Sequence, residues 1–156
     1  MHHDQAPGMN HYRNLLIMIV LSYISMYVLM YAMVDQLTNV YPNFNQIYMA
    51  GLMTAPMVMI EIAVMGSMYE NKRLNVIILT ISALAGVLFF VAIRQQTAIG
   101  DVQFLKSMIP HHAGAILMCN QASIGDGQIQ ELCKGILAGQ QSEIDLMKAI
   151  LARLES

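Results

Sequence analysis

The chain has no tryptophan, two cysteines, four prolines and little charge, with Asp, Glu, Lys and Arg making up only 12% of its 156 residues. Charge this sparse, with a formal net of −2, provides no basic face for a phosphate backbone and excludes a nucleic-acid partner. Two cysteines are too few for a disulfide-rich scaffold. No glycine-rich phosphate loop and no activated nucleophile can be read, and the Glu-x-x-His pattern of di-iron bundles is missing, so the chain is not expected to be an enzyme. The polar start, Met1 to Asn14, lacks a small-residue cleavage pattern, and the apolar run after it is too long for a signal peptide.

What the chain has instead is apolar length: 56% hydrophobic residues and a mean hydropathy of +0.51. Leu15 to Val34, Ile47 to Met68 and Leu74 to Ile93 are three runs of about twenty residues. At 1.5 Å per residue each crosses a hydrocarbon core of about 30 Å. Their faces lack the polar stripe that a soluble bundle needs. The sequence therefore predicts an all-α membrane protein. A polar N-terminal tail (1–14) and a three-span region (15–94) precede an extramembrane helical hairpin (100–156), with the lipid bilayer as first partner. Arg13, Lys72 and Arg73 lie on one side of the spans, whereas the loop Asp35 to Gln46 has neither Lys nor Arg. The excess of positive charge on cytoplasmic loops then predicts an inner (plasma) membrane protein, with the N-terminus cytoplasmic and the C-terminal domain periplasmic or otherwise extracytoplasmic. Arg94 and Lys106 oppose this orientation. Met1-His2-His3 presents an amine, two amides and an imidazole that can chelate Cu(II), although a disordered tail is the favoured reading there.

Fifteen methionines are several times the usual share, and some of them serve simply as lipid-facing residues. In the second span, Met49, Met53, Met57, Glu61 and Met65 recur every four residues and form one slowly drifting stripe. Pro56 falls within it, and an ionisable residue at membrane depth is a functional candidate by default. A row of thioethers passing a carboxylate suits a soft cation. Packing of the stripe against the other spans, with Glu61 protonated or paired to a Tyr or Ser, is the favoured alternative. Ser82, Ala83, Ala85 and Gly86 give the third span a small-residue patch for close helix packing.

The densest chemistry lies between Asp101 and Asn120, where Met108, His111, His112, Met118 and Cys119 fall within little more than three turns. Residues three or four apart share a helix face, so Met108 sits beside His111 and His112. Thioether and neutral imidazole are both good ligands for Cu(I) or Ag(I). For Met118 alone, core packing is the simpler reading. Pro110 removes an N–H within this helix and frees the Lys106 carbonyl.

Asp101, Phe104, Met108, Ile109, Pro110, His111, His112, Ala115, Ile116 and Met118 resemble the signature of the family called domain of unknown function 305. Ile136, Gln140, Glu143, Ile144 and Met147 resemble its second motif, Q-x-x-E-I-x-x-M. The resemblance covers residues 100 to 154, about a third of the chain. It implies a ferritin-like helical bundle, often exported, of which some members bind Cu(I) or Ag(I) through Met and His and assist metal tolerance. The hairpin is then one half of a four-helix unit, which a second subunit would complete in a homodimer or higher homo-oligomer.

The spacing predicts helices from Asp101, as a capping residue, to about Ser123 and from about Gln128 to Leu154, with Ile124 to Gly127 as the turn. An antiparallel hairpin turning near Asp126 sets Cys119 opposite Cys133, where a disulfide is favoured over thiolate ligation and two buried thiols remain open. It also sets His111 and His112 near Gln140 and one turn from Glu143, a carboxylate that can orient an imidazole from behind. The leading expectation is a membrane-anchored Cu(I)- or Ag(I)-binding protein for metal tolerance or delivery. Its ligands would be Met108, His111, His112 and Met118, with Met147 as an additional candidate, and the ion would pass to or from a donor or acceptor protein. An oligomeric soft-metal transporter using the second span, and a structural or assembly subunit without metal, are the alternatives.

Overall fold

The computed structural model describes residues 7–156, with side chains from Asn10 onward; the Met1-His2-His3 chelate lies outside the described residues. Within them the chain is all helix, with no strand: α1 (Pro7–Leu29), α2 (Phe44–Val64), α3 (Lys72–Gln95), α4 (Asp101–Gln121) and α5 (Gly127–Leu154), plus short 3-10 turns at Met30–Met33 and Leu37–Asn39. Within the polar 1–14 segment the chain is helical from Pro7. Proline at the first helical position has its fixed φ already suited to the helix, and its missing N–H would have no intrahelical partner there.

Two compact units emerge among the described residues, one of 7–29 with 47–97 and the other of 30–46 with 98–156. In the first, three helices (Asn10–Met33, Phe44–Val64 and Lys72–Gln95) are long and apolar enough to cross a membrane. Large apolar side chains such as Leu21, Ile81 and Leu88 are more than half exposed on their outer faces. Water disfavours a surface of that extent, whereas hydrocarbon accepts it. The inner contact is made of small residues. Ala50, Gly51, Thr54, Ala55, Val58 and Ile62 form the buried face of α2. A Cβ on Gly51 would overlap the Phe89 ring, and one on Gly86 would sit 3.2 Å from the Ala55 Cβ, so α2 and α3 approach closely through these two glycines. At one end of the unit a polar chain ties all three helices. Tyr12 donates to Asn75 Oδ1 (2.7 Å), Asn75 Nδ2 donates to the Tyr69 carbonyl (2.9 Å), and the Tyr69 hydroxyl donates to Glu61 Oε1 (3.1 Å).

In the second unit α4 and α5 form the expected antiparallel hairpin. Asp126 caps α5 by accepting from the amides of Gln128 (2.8 Å) and Ile129 (3.0 Å). Asp101 does not cap α4; that position is Gly100, and Asp101 lies in the first turn, where its carboxylate still meets the positive end of the helix dipole. Leu105, Ile109, Ala113 and Ile116 of α4 pack on Ile144, Met147 and Leu151 of α5, and Ile109 and Ile144 are fully buried. Burying each isoleucine side chain stabilises the hairpin by about 1.5–3 kcal/mol. The segment between α1 and α2 adds Val34 and Tyr41 to this core. Part of the cover expected from a second subunit is therefore supplied by the chain itself.

Candidate metal centre

Helix α4 sets the proposed ligands at different depths. Met108 is half-buried against the core, His112 keeps 11% of its side chain exposed, and His111 faces outward. The two imidazole rings stand 6.1 Å apart, centre to centre, edge to face. His112 Nδ1 lies 2.9 Å from the Met108 carbonyl, one turn back along its own helix, and its Nε2 lies 2.8 Å from Glu143 Oε2. Met108 and His112 are thus linked through backbone as well as by position, and His112 joins the two helices.

Both ring nitrogens of His112 therefore face an acceptor: the Met108 carbonyl at Nδ1 and, as the hairpin register leads one to expect, Glu143 at Nε2. The Glu143 side chain is 58% exposed, so it can swing into water at little cost, since exposed ion pairs are worth about 0–1 kcal/mol. Gln140 is half-buried on α5, one turn before Glu143.

Of the remaining candidates, Met147 belongs to the core that Met108 packs against and is 9% exposed, among Ile144 and Leu151. Met118 is 53% exposed, seven residues past His111 and so roughly 10 Å further along the helix. Cys119 and Cys133 are joined as a disulfide with Cα atoms 5.4 Å apart, which leaves no thiolate to bind an ion. Among the described residues no three His, Cys, Asp or Glu side chains form a group that could hold a metal ion.

The Met stripe of the second span is partly covered. Met49, Met53 and Met65 are 37–45% exposed and Met57 is half-buried, whereas the buried face of the helix consists of the small residues above. The closest contacts of α2 are made by glycine, alanine and threonine, which let helices approach more closely than methionine would. Glu61 is held by Tyr69, the tyrosine partner that the sequence left open. Burial, and then the bond to Glu61, hold the Tyr69 hydroxyl above the ordinary tyrosine pKa.

Sequence reasoning missed Asn43. It caps α2 by accepting from the Gln46 amide (3.0 Å), and it donates to the carbonyls of Tyr41 (2.9 Å) and Lys106 (3.3 Å). The signal was available: Pro110 leaves the Lys106 carbonyl without its helical donor, and a half-enclosed carbonyl needs another.

Comparison with known proteins places the chain. A model of the family described as Domain of unknown function (DUF305) matches residues 34–151, about three quarters of the sequence. The chain belongs to the DUF305 family. This corrects the extent of the resemblance, which reaches well beyond the C-terminal third. The motif residues are concentrated in α4 and α5, whereas apolar spans carry little that distinguishes one membrane helix from another. The DUF305 match also begins inside the 30–46 segment, which the fold groups with the hairpin. An uncharacterized protein of Acanthamoeba polyphaga mimivirus is 31% identical over 140 residues, covering 88% of this chain and 90% of its own. No solved structure matches.

Proposed function

We propose that this DUF305 protein is a membrane-anchored binder of Cu(I) or Ag(I), with Met108, His111 and His112 as ligands on the hairpin unit. The observation that carries the reading is the bond between His112 Nδ1 and the Met108 carbonyl. A metal-bound histidine nearly always donates its other ring N–H to a carbonyl or carboxylate, which fixes the tautomer and turns the free lone pair outward. Here that lone pair is the one Nε2 gains on giving up the proton it shares with Glu143. Binding displaces the exposed Glu143 from Nε2, while the Met108 thioether and the His111 imidazole approach from the same turn. Few soft donors on one helix face suit ligand exchange with a donor or acceptor protein. The three apolar helices anchor the site to a bilayer, and the lysine and arginine bias sets it on the extracytoplasmic face.

Titration of the full-length protein in detergent with Cu(I), held reduced by ascorbate against a chromogenic chelator, tests this. Binding tighter than micromolar, weakened at least about tenfold by His111→Ala and by Met108→Leu, supports it. Affinity no better than micromolar, or affinity that survives both substitutions, rejects it.

The Met stripe favours one second reading, soft-metal transport between copies of the chain, since Met49, Met53 and Met65 are 37–45% exposed. Metal uptake into sealed vesicles that depends on Met53, Met57 and Glu61 distinguishes it from the anchored binder.

A further inference from the structure

Helix α4 runs unbroken from Asp101 to Gln121 although Pro110 lies near its middle. Proline supplies no N–H, so the carbonyl of Lys106, four residues earlier, loses its donor. A half-enclosed carbonyl without a donor has lost water and gained nothing in its place. The donor comes from sixty-three positions away, as Asn43 Nδ2 lies 3.3 Å from the Lys106 oxygen.

Asn43 is itself 3% exposed and its side chain is fully engaged. Its amide group donates to the Tyr41 carbonyl as well, and its Oδ1 accepts from the Gln46 amide; the single Ser107 hydroxyl proton lies between the Gln103 carbonyl (2.8 Å) and Asn43 Oδ1 (3.3 Å). Two neighbours reinforce the junction. Gln103 Oε1 accepts from the Phe44 amide (3.0 Å), and Asn45 Nδ2 donates to Ser107 Oγ (3.1 Å). The start of α2 and the turn of α4 that leads into Met108 are thereby joined at Gln103, Lys106 and Ser107. Met108 is the next residue, and its carbonyl holds His112.

We propose that Asn43 is the positioning residue of the candidate metal centre: its side-chain amide stands in for the N–H that Pro110 lacks and so fixes the turn that presents Met108, His111 and His112. This rests on the metal reading above for its ligand and on the Asn43–Lys106 geometry for its mechanism. The donor is the part that matters. Asn43→Asp keeps an oxygen for Gln46 and Ser107 but has no N–H for Lys106. In a Pro110→Ala chain the Lys106 carbonyl regains its helical donor, and Asn43 becomes dispensable for this purpose.

The experiment is a double-mutant cycle on the full-length protein in detergent, comparing the unsubstituted chain, Asn43→Asp, Pro110→Ala and the double variant. Amide hydrogen exchange over residues 106–115 is read alongside Cu(I) affinity. The loss of one such bond is expected to speed exchange about tenfold in Asn43→Asp and to weaken Cu(I) binding several-fold, with both effects largely absent when Pro110 is also replaced. Exchange that is unchanged in Asn43→Asp, or raised equally with and without Pro110, overturns the proposal whatever copper does. Rescued exchange with Cu(I) affinity unchanged in Asn43→Asp also overturns it, because the residue then supports the helix without setting the ligands. Failure of the unsubstituted chain to bind Cu(I), with the exchange cycle intact, rejects the metal reading instead and is thereby distinguished from failure at Asn43. The Pro110→Ala variant guards against general misfolding, since it contains the native Asn43.

Discussion

Removing the bond between Cys119 and Cys133 has a cost that follows from the position of the two residues. They are 14 apart in sequence, so the disulfide closes a loop of about 15 residues around the turn between α4 and α5. Closing a loop of that size removes conformational freedom from the unfolded chain worth about 3 kcal/mol at 25 °C in the chain-entropy treatment. Nothing in the folded hairpin offsets its loss, because the core of Leu105, Ile109 and Ile144 lies toward the opposite end and keeps its packing either way. The Cys119→Ala/Cys133→Ala variant should therefore fold to the same hairpin and open more easily. Hydrogen exchange of the slowest α4 and α5 amides measures the opening free energy of this unit alone, which matters where two units need not unfold together. The expected fall is about 3 kcal/mol, or more than a hundredfold in exchange rate. A fall below about 0.5 kcal/mol would refute the reasoning, and so would titration of two free thiols in protein purified without reductant.

Other outcomes follow from single contacts. Ile144→Ala leaves a cavity in a fully buried site and should cost the hairpin about 2–5 kcal/mol, read by the same exchange measurement. Gly51→Ala should destabilise the first unit by about 1–3 kcal/mol in detergent melts, and Phe89→Leu should recover part of it, because the added methyl meets that ring. Tyr69→Phe keeps the ring against Tyr12 and loses the bond to Glu61, at about 1 kcal/mol. The Tyr69 pKa is raised on folding, so its contribution is complete below the ordinary tyrosine value of 10.0 and is lost as pH climbs through the raised value. Alkaline unfolding curves should lose that dependence in Tyr69→Phe. Glu143→Ala frees His112 Nε2 and should tighten Cu(I) binding by up to about fivefold while barely moving stability; a weaker complex would show that the carboxylate supports the ion instead of competing with it.

The apolar runs and the hairpin could be read from sequence because each is a local, repetitive signal. Twenty residues without charge allow few structures, and an antiparallel pair turning at Asp126 brings Cys119 to Cys133 by counting alone. Three features resisted. The start of α1 is hidden because Asn10, His11, Arg13 and Asn14 look like a tail, although Pro7 marks the first turn. The Met stripe keeps helical spacing, but spacing does not reveal which face turns inward; the small residues at Ala50, Gly51, Thr54 and Ala55 decided that. The candidate site was legible only in part. Pairing Glu143 with His112 follows from hairpin register, whereas which ring nitrogen each acceptor takes depends on a side-chain rotation that register does not set. Asn43 lies furthest from sequence reasoning, since its bond to Lys106 joins residues sixty-three positions apart through one side-chain amide.

Copper K-edge X-ray absorption of the full-length protein, loaded with one equivalent of Cu(I) and with its disulfide intact, tests the metal reading most directly. The expected first shell contains both nitrogen and sulfur, with the sulfur lost in Met108→Leu and the nitrogen reduced in His111→Ala. A shell of light atoms only, or a sulfur contribution that Met108→Leu leaves unchanged, would contradict it.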